Sequence, residues 1–560
     1  MTFTRSPRVR TAVPMLVALA ATLPACTAAP EAGLVAYGRV WTGNPDQPWA
    51  GGVAMRGDTV LAVGDSSEVA RYVGEKTQVV TAAGAMVVPG FMDSHTHFLD
   101  GGIQLVSVDL RSADTPEEMV ARIKAYAAER KPGEWILGGD WDHERWPGAP
   151  LPTKAWIDSV TPNNPVFVNR LDGHMGVANS AALRAAGITK ATKDIPGGEI
   201  VRDPRTGEPT GILKDNAQLP VYGAVPAPSE AQLDAALARA VAFAGSKGVT
   251  AVNFMSAPTA WLGAFQRSRA AGTLTVRTKM FFPIDQWRWV ADTVARAGAG
   301  DDWLRIDGAK GYMDGSLGST TALLFHPYLD APNTRGLETT PLDSIHRWVQ
   351  SADSAGLQVA VHAIGDRANA MLLDVFDSVA RTNGPRDRRF RDEHAQHLRP
   401  QDITRIAKSN VIASMQPYHI IDDGRWAAKR IDSTLLQTTY AFRDLLDQGA
   451  HLDFGSDWTV APLDPILGIY AAVTRRTLDD KNPEGWFAAQ KVTVEEALRA
   501  YTVENAYGVF AEGRRGVLKP GARADLVLLD RDLTTIPPTD IPNTRVLVTV
   551  AGGQVVYRVP

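Results

Sequence analysis

The run Val87-Val88-Pro89-Gly90-Phe91-Met92-Asp93-Ser94-His95-Thr96-His97 carries the clearest chemical signal in the chain. A short apolar stretch ends in a His-x-His pair. In a β-strand, residues i and i+2 project to the same side, so both imidazoles can reach one point. Two neutral imidazoles at a strand end form half of a divalent metal site. A His-x-His taken alone is more often two polar residues of a surface loop, and what lies downstream overturns that reading. Lys310 precedes Asp314-Gly315-Ser316-Leu317-Gly318-Ser319. His362 lies in Val361-His362-Ala363-Ile364-Gly365-Asp366-Arg367, His394 in Asp392-Glu393-His394-Ala395-Gln396-His397, and Asp457 closes Gly455-Ser456-Asp457. The only cysteine is Cys26, so a metal would be held by nitrogen and oxygen.

Each of these residues follows an apolar, strand-like segment. The middle of the chain alternates such segments with amphipathic helical stretches, for example Ser229–Ser246 and Pro341–Ala355, as parallel βα units do. Eight strands are expected after Gly84, over 86–92, 249–254, 275–282, 305–312, 357–362, 389–394, 411–416 and 451–456. Eight such units imply an α/β fold, a (β/α)8 TIM-type barrel, whose sites lie at the C-terminal ends of the strands. His95, His97, Lys310, His362, His394 and Asp457 all fall there, on strands 1, 4, 5, 6 and 8. The stretch from about 100 to 240 is too long for one βα connection. It reads as an inserted subdomain with its own strands at 135–138 and 166–168. Short strands with turns fill 34–86 and return in 513–560, too few at either end to be stable alone. The two ends are expected to meet as one small composite β-sandwich, leaving 87–512 as the barrel.

Hydrophobic residues make up 44% of the 560 residues and charged residues 21%, an ordinary globular composition. Net charge is −4, with no basic run or aromatic–basic stripe, which argues against a nucleic-acid partner. The first 25 residues have the layout of an export signal. Arg5, Arg8 and Arg10 precede an apolar stretch from Ala12 to Ala21, and Leu23-Pro24-Ala25-Cys26 closes the segment. Cys26 stands where the acylated cysteine of a bacterial lipoprotein stands, although Pro24 leaves plain cleavage open. The expectation is an exported bacterial protein, a lipoprotein facing the periplasm or cell exterior, with residues 26–33 as tether and the lipid as its only membrane contact. Removing 1–25 takes away three arginines and no acids, so −4 becomes −7.

The stretches 89–97, 310–319, 361–368, 393–396 and 455–457 resemble the amidohydrolase superfamily, and within it the YtcJ-like (amidohydrolase 3) branch. Asp172-Gly173-His174 with Asn179-Ser180, and Gly211-Ile212-Leu213-Lys214-Asp215, resemble the same branch. The similarity covers nearly everything from about 34 to 560. It implies that His95, His97, His362, His394 and Asp457 ligate one or two divalent ions, zinc fitting best and manganese or iron also suiting the set. It also implies a lysine carbamate bridging two ions. Lys310, on the fourth predicted strand, suits that role better than Lys214, inside the insertion. Asp457 is then the general base and acid. His174, Gln416, His419, Trp141 and Trp458 are candidates for contact with a small-molecule substrate, and Trp141, Asp142 and Arg145 for a lid. Asp314 and Arg367 suit supporting roles, while His326, His346 and His451 read as structural. The leading expectation is hydrolysis of C–N bonds in amides, formamides or cyclic amides. The same site acting on esters or lactones is the alternative, and a non-catalytic, lipid-tethered binding protein a third reading.

Overall fold

The computed structural model describes residues 1–4 and 29–559. Most of the expected export signal, and Cys26, lie outside the described residues. No helix among the described residues is long and apolar enough to cross a membrane.

Eight parallel strands form the central sheet: β1 (Phe91–Thr96), β2 (Val249–Phe254), β3 (Arg277–Pro283), β4 (Leu304–Tyr312), β5 (Gln358–Ala363), β6 (Arg391–His394), β7 (Ile412–Met415) and β8 (Leu452–Phe454). β1, β2 and β5 are buried along their whole length, the mark of strands covered on both faces. The seam between β8 and β1 is bridged just past the strand ends. Asp457 N–H donates to His95 O at 2.7 Å, His97 N–H to Trp458 O at 2.5 Å, and Ser456 N–H to Asp93 Oδ1 at 2.9 Å. Gly455 permits this approach, since a Cβ there would lie 2.6 Å from His95 N. The barrel thereby closes, and the TIM-type architecture read from the sequence is the one observed.

One strand boundary needs correcting. The expected first strand, 86–92, straddles two elements. Gln78–Pro89 belongs to the sheet of the chain ends, and the barrel strand begins at Phe91. The last five residues of the first, Ala85–Pro89, and all of the second are buried, so the apolar run passes from one to the other without a visible break.

The chain ends form one seven-stranded sheet. Its spatial order is Thr59–Gly64, Trp49–Arg56, Leu34–Trp41, Gln78–Pro89, Leu526–Leu529, Val546–Ala551 and Gln554–Arg558. This is a single sheet curled over its own core rather than two separate layers. Leu34, Val53, Val87, Leu528 and Val550 share one cluster. The hairpin turns at its opposite ends meet at Gly57 and Gly553.

The insertion carries a third sheet of six strands, from Val108–Asp109 through Gly138–Trp141, Phe167–Arg170 and Met175–Ala178 to Pro209–Asp215 and Gly198–Arg202. Its extent is narrower than 100–240. The helices Phe98–Gln104 and Glu230–Ser246 pack into the barrel's own core through Leu99, Ala236, Leu237 and Ala240.

Candidate metal centre

β1 supplies His95, and His97 follows one residue past its end. β5 supplies His362, β6 His394, and the turn after β8 Asp457. The ligating atoms of His95, His394 and Asp457 all lie within 4.8 Å of one another. His97 Nε2 is 3.3 Å from Asp457 Oδ1, and His95 Nε2 is 3.5 Å from the same oxygen. The His362 ring centroid is 4.5 Å from that of His394, which is 4.8 Å from that of His95. All five side chains therefore converge, with His97 and His362 flanking the tightest three. Lys310, on β4, is buried, and its Nζ sits 4.3 Å from the Tyr312 ring centroid. Lys214 stands apart on the insertion sheet, paired with Glu199 at 2.9 Å.

His95 Nε2, Lys310 Nζ and Asp457 Oδ1 are buried and make no hydrogen bond. Buried polar atoms are nearly always paired, because an unpaired one costs roughly 1–3 kcal/mol. The acceptors His95 Nε2 and Asp457 Oδ1 fit a cation-binding function, and His419 Nε2, likewise buried and unpaired, lines the same mouth. Burial, reinforced by Lys310, holds His95 below the usual imidazole range. Burial and neighbouring positive groups hold His362 and His394 further below it. Burial opposes ionisation of Asp457, but the surrounding histidines outweigh it and keep the carboxyl well below its ordinary range. His394 and Asp457 also adopt positive φ, at 79° and 58°, conformations that persist only where surroundings enforce them.

Each candidate imidazole ligand with a buried second nitrogen is anchored through it. His95 Nδ1 lies 2.6 Å from Glu393 Oε2, His394 Nδ1 2.7 Å from Gln416 Oε1, and His362 Nε2 3.1 Å from Gly315 O. Such bonds fix tautomer and ring orientation. Glu393 is in turn held by Arg391 Nε at 2.7 Å, and burial notwithstanding, Arg391 drives its carboxyl far below the usual range. Asp314 accepts backbone N–H groups from Leu323, Ile364 and Gly365, stapling the loops after β4 and β5.

Above the centre lies a cavity. The insertion contributes Arg170, Asp172 and His174 to its wall, and the segment after β7 contributes His419, Asp423 and Trp426. His174 and His419 thus stand where a substrate contact requires. Three other expected contacts do not. Trp141 is wholly buried in the insertion core, its indole N–H donating to Val168 O. Trp458 packs against Phe98 and Phe243 beneath the seam. Gln416 is occupied in orienting His394. In each case a residue near a strand end was expected to face the cavity, whereas the chain turns it into the core. Asp142 joins the insertion to the barrel through Arg425 at 2.9 Å, while Arg145 pairs with Asp114 on the insertion itself. The Arg367 side chain does not line the cavity. His346 and His451 make structural hydrogen bonds to Ser378 and Glu504, and His326 borders a separate surface cleft.

Sequence reasoning missed Arg391 and the role of Glu393. The alternation along Arg391-Asp392-Glu393, which sets the outer two on one side of β6, was the available signal. Arg170 and Trp426 had none, since they meet only when the insertion folds over the barrel.

This geometry can be set beside known proteins. Residues 78–557 match the Amidohydrolase family. The chain belongs to the amidohydrolase family. It is 38% identical over 545 residues to Protein LONG AFTER FAR-RED 3 of Arabidopsis thaliana, covering 94% of this chain and 93% of that one. It is 30% identical over 496 residues to YtcJ of Bacillus subtilis (87% and 92%). It is also 28% identical over 529 residues to an N-substituted formamide deformylase of Arthrobacter pascens (90% and 94%). Among solved structures, an uncharacterized metal-dependent hydrolase of Pyrococcus horikoshii superposes with a TM-score of 0.73 at 29% identity, covering 90% of this amidohydrolase and 99% of that chain. The chain is a metal-dependent hydrolase of the YtcJ-like branch.

Proposed function

We propose that this amidohydrolase cleaves C–N bonds of amide, formamide or cyclic amide substrates, with Asp457 accepting a proton from water and delivering it to the leaving nitrogen. The observation that carries this reading is the convergence of His95, His394 and Asp457, whose ligating atoms lie within 4.8 Å of one another, with His95 Nε2 and Asp457 Oδ1 buried and without a hydrogen bond. The donor set fits one or two divalent ions, zinc best, held by His95, His97, His362, His394 and Asp457, with Lys310 as a bridging carbamate. A metal there supplies Lewis acidity towards a carbonyl and lowers the pKa of water from 15.7 towards about 7.

The chain's own groups do the rest. Glu393 and Gln416 keep His95 and His394 in one orientation and tautomer. Asp457, ionised and without a hydrogen bond at Oδ1, is ready to take a proton at that oxygen. The walls from the insertion and the segment after β7 line the approach to it. The formamide deformylase among the relatives favours formamides as the first substrates to try.

The test is a metal-replete assay on matched panels of N-acyl and N-formyl amines, cyclic amides and lactones. Turnover of the nitrogen panels is expected, and turnover of lactones alone would overturn the C–N assignment. We also propose that the mature protein is exported and acylated at Cys26. Cys26→Ser is expected to abolish palmitate labelling and shift the protein out of the membrane fraction. Unchanged fractionation would refute the anchor.

A further inference from the structure

Among the described residues, one histidine of the cavity wall is held as though for use. His174 lies just before the insertion strand Met175–Ala178, and Asp215 ends the neighbouring strand Pro209–Asp215. Lys214 pairs with Met175 in the antiparallel register, so His174 and Asp215 face each other one step further on. Asp215 N–H donates to His174 O at 2.9 Å, and the side chains meet with His174 Nδ1 2.6 Å from Asp215 Oδ1. Nδ1–H therefore points at the carboxylate, and Nε2 makes no hydrogen bond among the described residues. The ring lines the cavity that Asp457, His362 and His394 also line, 5.0 Å from the His362 ring between centroids.

Two features indicate that this pose is enforced. Asp215 has φ 45° and ψ −125°, a backbone conformation suited to glycine, yet an aspartate occupies it. On the barrel side, a Cβ at Gly315 would lie 2.7 Å from Asp215 Oδ1, so the loop after β4 can accept the carboxylate only because residue 315 is glycine. A histidine with a purely structural task looks different. His397 is wholly buried with both nitrogens engaged, Nδ1 by Thr439 at 2.8 Å and Nε2 by Gln396 at 3.2 Å.

We propose that His174 is a catalytic residue whose Nε2 hydrogen-bonds to the scissile group of a substrate lying over His362, His394 and Asp457, with Asp215 as the positioning residue that fixes the ring. The proposal rests on the hydrolase reading given above. It makes the insertion part of the catalytic apparatus rather than a cover, and it places one polar contact on the substrate opposite the candidate metal ligands' own loops.

The experiment compares wild type with His174→Phe, His174→Gln and Asp215→Asn, each as the full metal-loaded chain, on whichever of the amide, formamide or lactone substrates wild type cleaves. His174→Phe is expected to lower kcat/KM by about 100-fold, the scale of losing one transition-state hydrogen bond. Metal content should stay at the wild-type level. His174→Gln should recover part of the loss, and Asp215→Asn should lower kcat more than it raises KM. The proposal is overturned if His174→Phe keeps kcat/KM within a few-fold of wild type, or if its activity falls only in step with lost metal. Wild type cleaving lactones alone would end the C–N assignment while the His174 comparison is still read on the lactone. Wild type cleaving none of them would end both.

Discussion

The two ends of the barrel treat buried charge in opposite ways. At the N-terminal end and in the interior the charges of Arg391 and Lys279 are answered, while Asp392, unpaired on β6, is pushed well above the usual carboxylate range by burial. Arg391 bonds to Glu393 and Asp453, each at 2.7 Å, and to Ser414 Oγ. Lys279 Nζ meets Gln358 Oε1 at 2.6 Å and Asp307 Oδ1 at 3.2 Å. At the C-terminal mouth, His95 Nε2, Lys310 Nζ and Asp457 Oδ1 are equally buried and unanswered. A protein retains a group of unpaired buried atoms where a ligand is meant to complete them. The contrast separates the side chains that hold the barrel together from those that do its chemistry, although Glu393 serves both.

Substitutions should split along that line. Asp457→Asn or His394→Ala is expected to reduce amide hydrolysis by about 1,000-fold or more, while the urea midpoint of the metal-free protein stays put or rises. A large stability loss at the mouth would blur the distinction. Arg391→Met makes the reciprocal case. It strands Glu393 and Asp453 in the interior and should cost about 3–5 kcal/mol in urea unfolding. An undiminished midpoint would mean that the interior charges are not structural.

The pH dependence of stability sharpens the interior half. Burial lowers Lys279 from its ordinary 10.5 to about 8. The unfolded chain therefore binds the extra proton between those values, and stability should rise as pH increases from about 8 to 10.5. The gain is about 3 kcal/mol at most. Subtracting the profile of Lys279→Met from that of wild type should isolate this slope, and parallel profiles would refute it.

Glu393→Gln tests the link between the two ends. It weakens the hold on His95 and is expected to reduce metal affinity about 10- to 100-fold in chelator competition. Equal affinity would show that His95 needs no orienting carboxylate. The smallest effect belongs to the ion pairs joining insertion to barrel, where Glu144 contacts Lys429 at 2.7 Å and Arg430 at 3.0 Å. Glu144→Gln should change KM by no more than a few-fold, since neither Glu144 nor its partners Lys429 and Arg430 line the cavity. Metal content should not change.

The barrel was legible because its strands are apolar runs that end in chemically conspicuous residues. The strand expected at 357–362, observed over Gln358–Ala363 and carrying His362, is the clearest example. The first strand was misplaced because Val87-Val88-Pro89-Gly90-Phe91 is apolar throughout, and only the partner strands show which sheet owns each half. The six polar candidates could be named since each stands at a strand end. The cavity wall could not, because facing is decided by tertiary packing. Trp141 and Trp458 looked suited to a pocket by type and position, yet both are core residues. His174 was nameable from Asp172-Gly173-His174, but its pairing with Asp215 across 41 residues emerges only from the register of the insertion sheet.

Everything said of the mouth depends on a cation completing that set of side chains. Elemental analysis of purified wild type beside a His95→Ala/His394→Ala double variant addresses this without needing a substrate. The account predicts at least one tightly held divalent ion per wild-type chain and essentially none in a folded double variant. A metal-replete wild type that retains no divalent ion, or a double variant that keeps its full complement of metal, would contradict it.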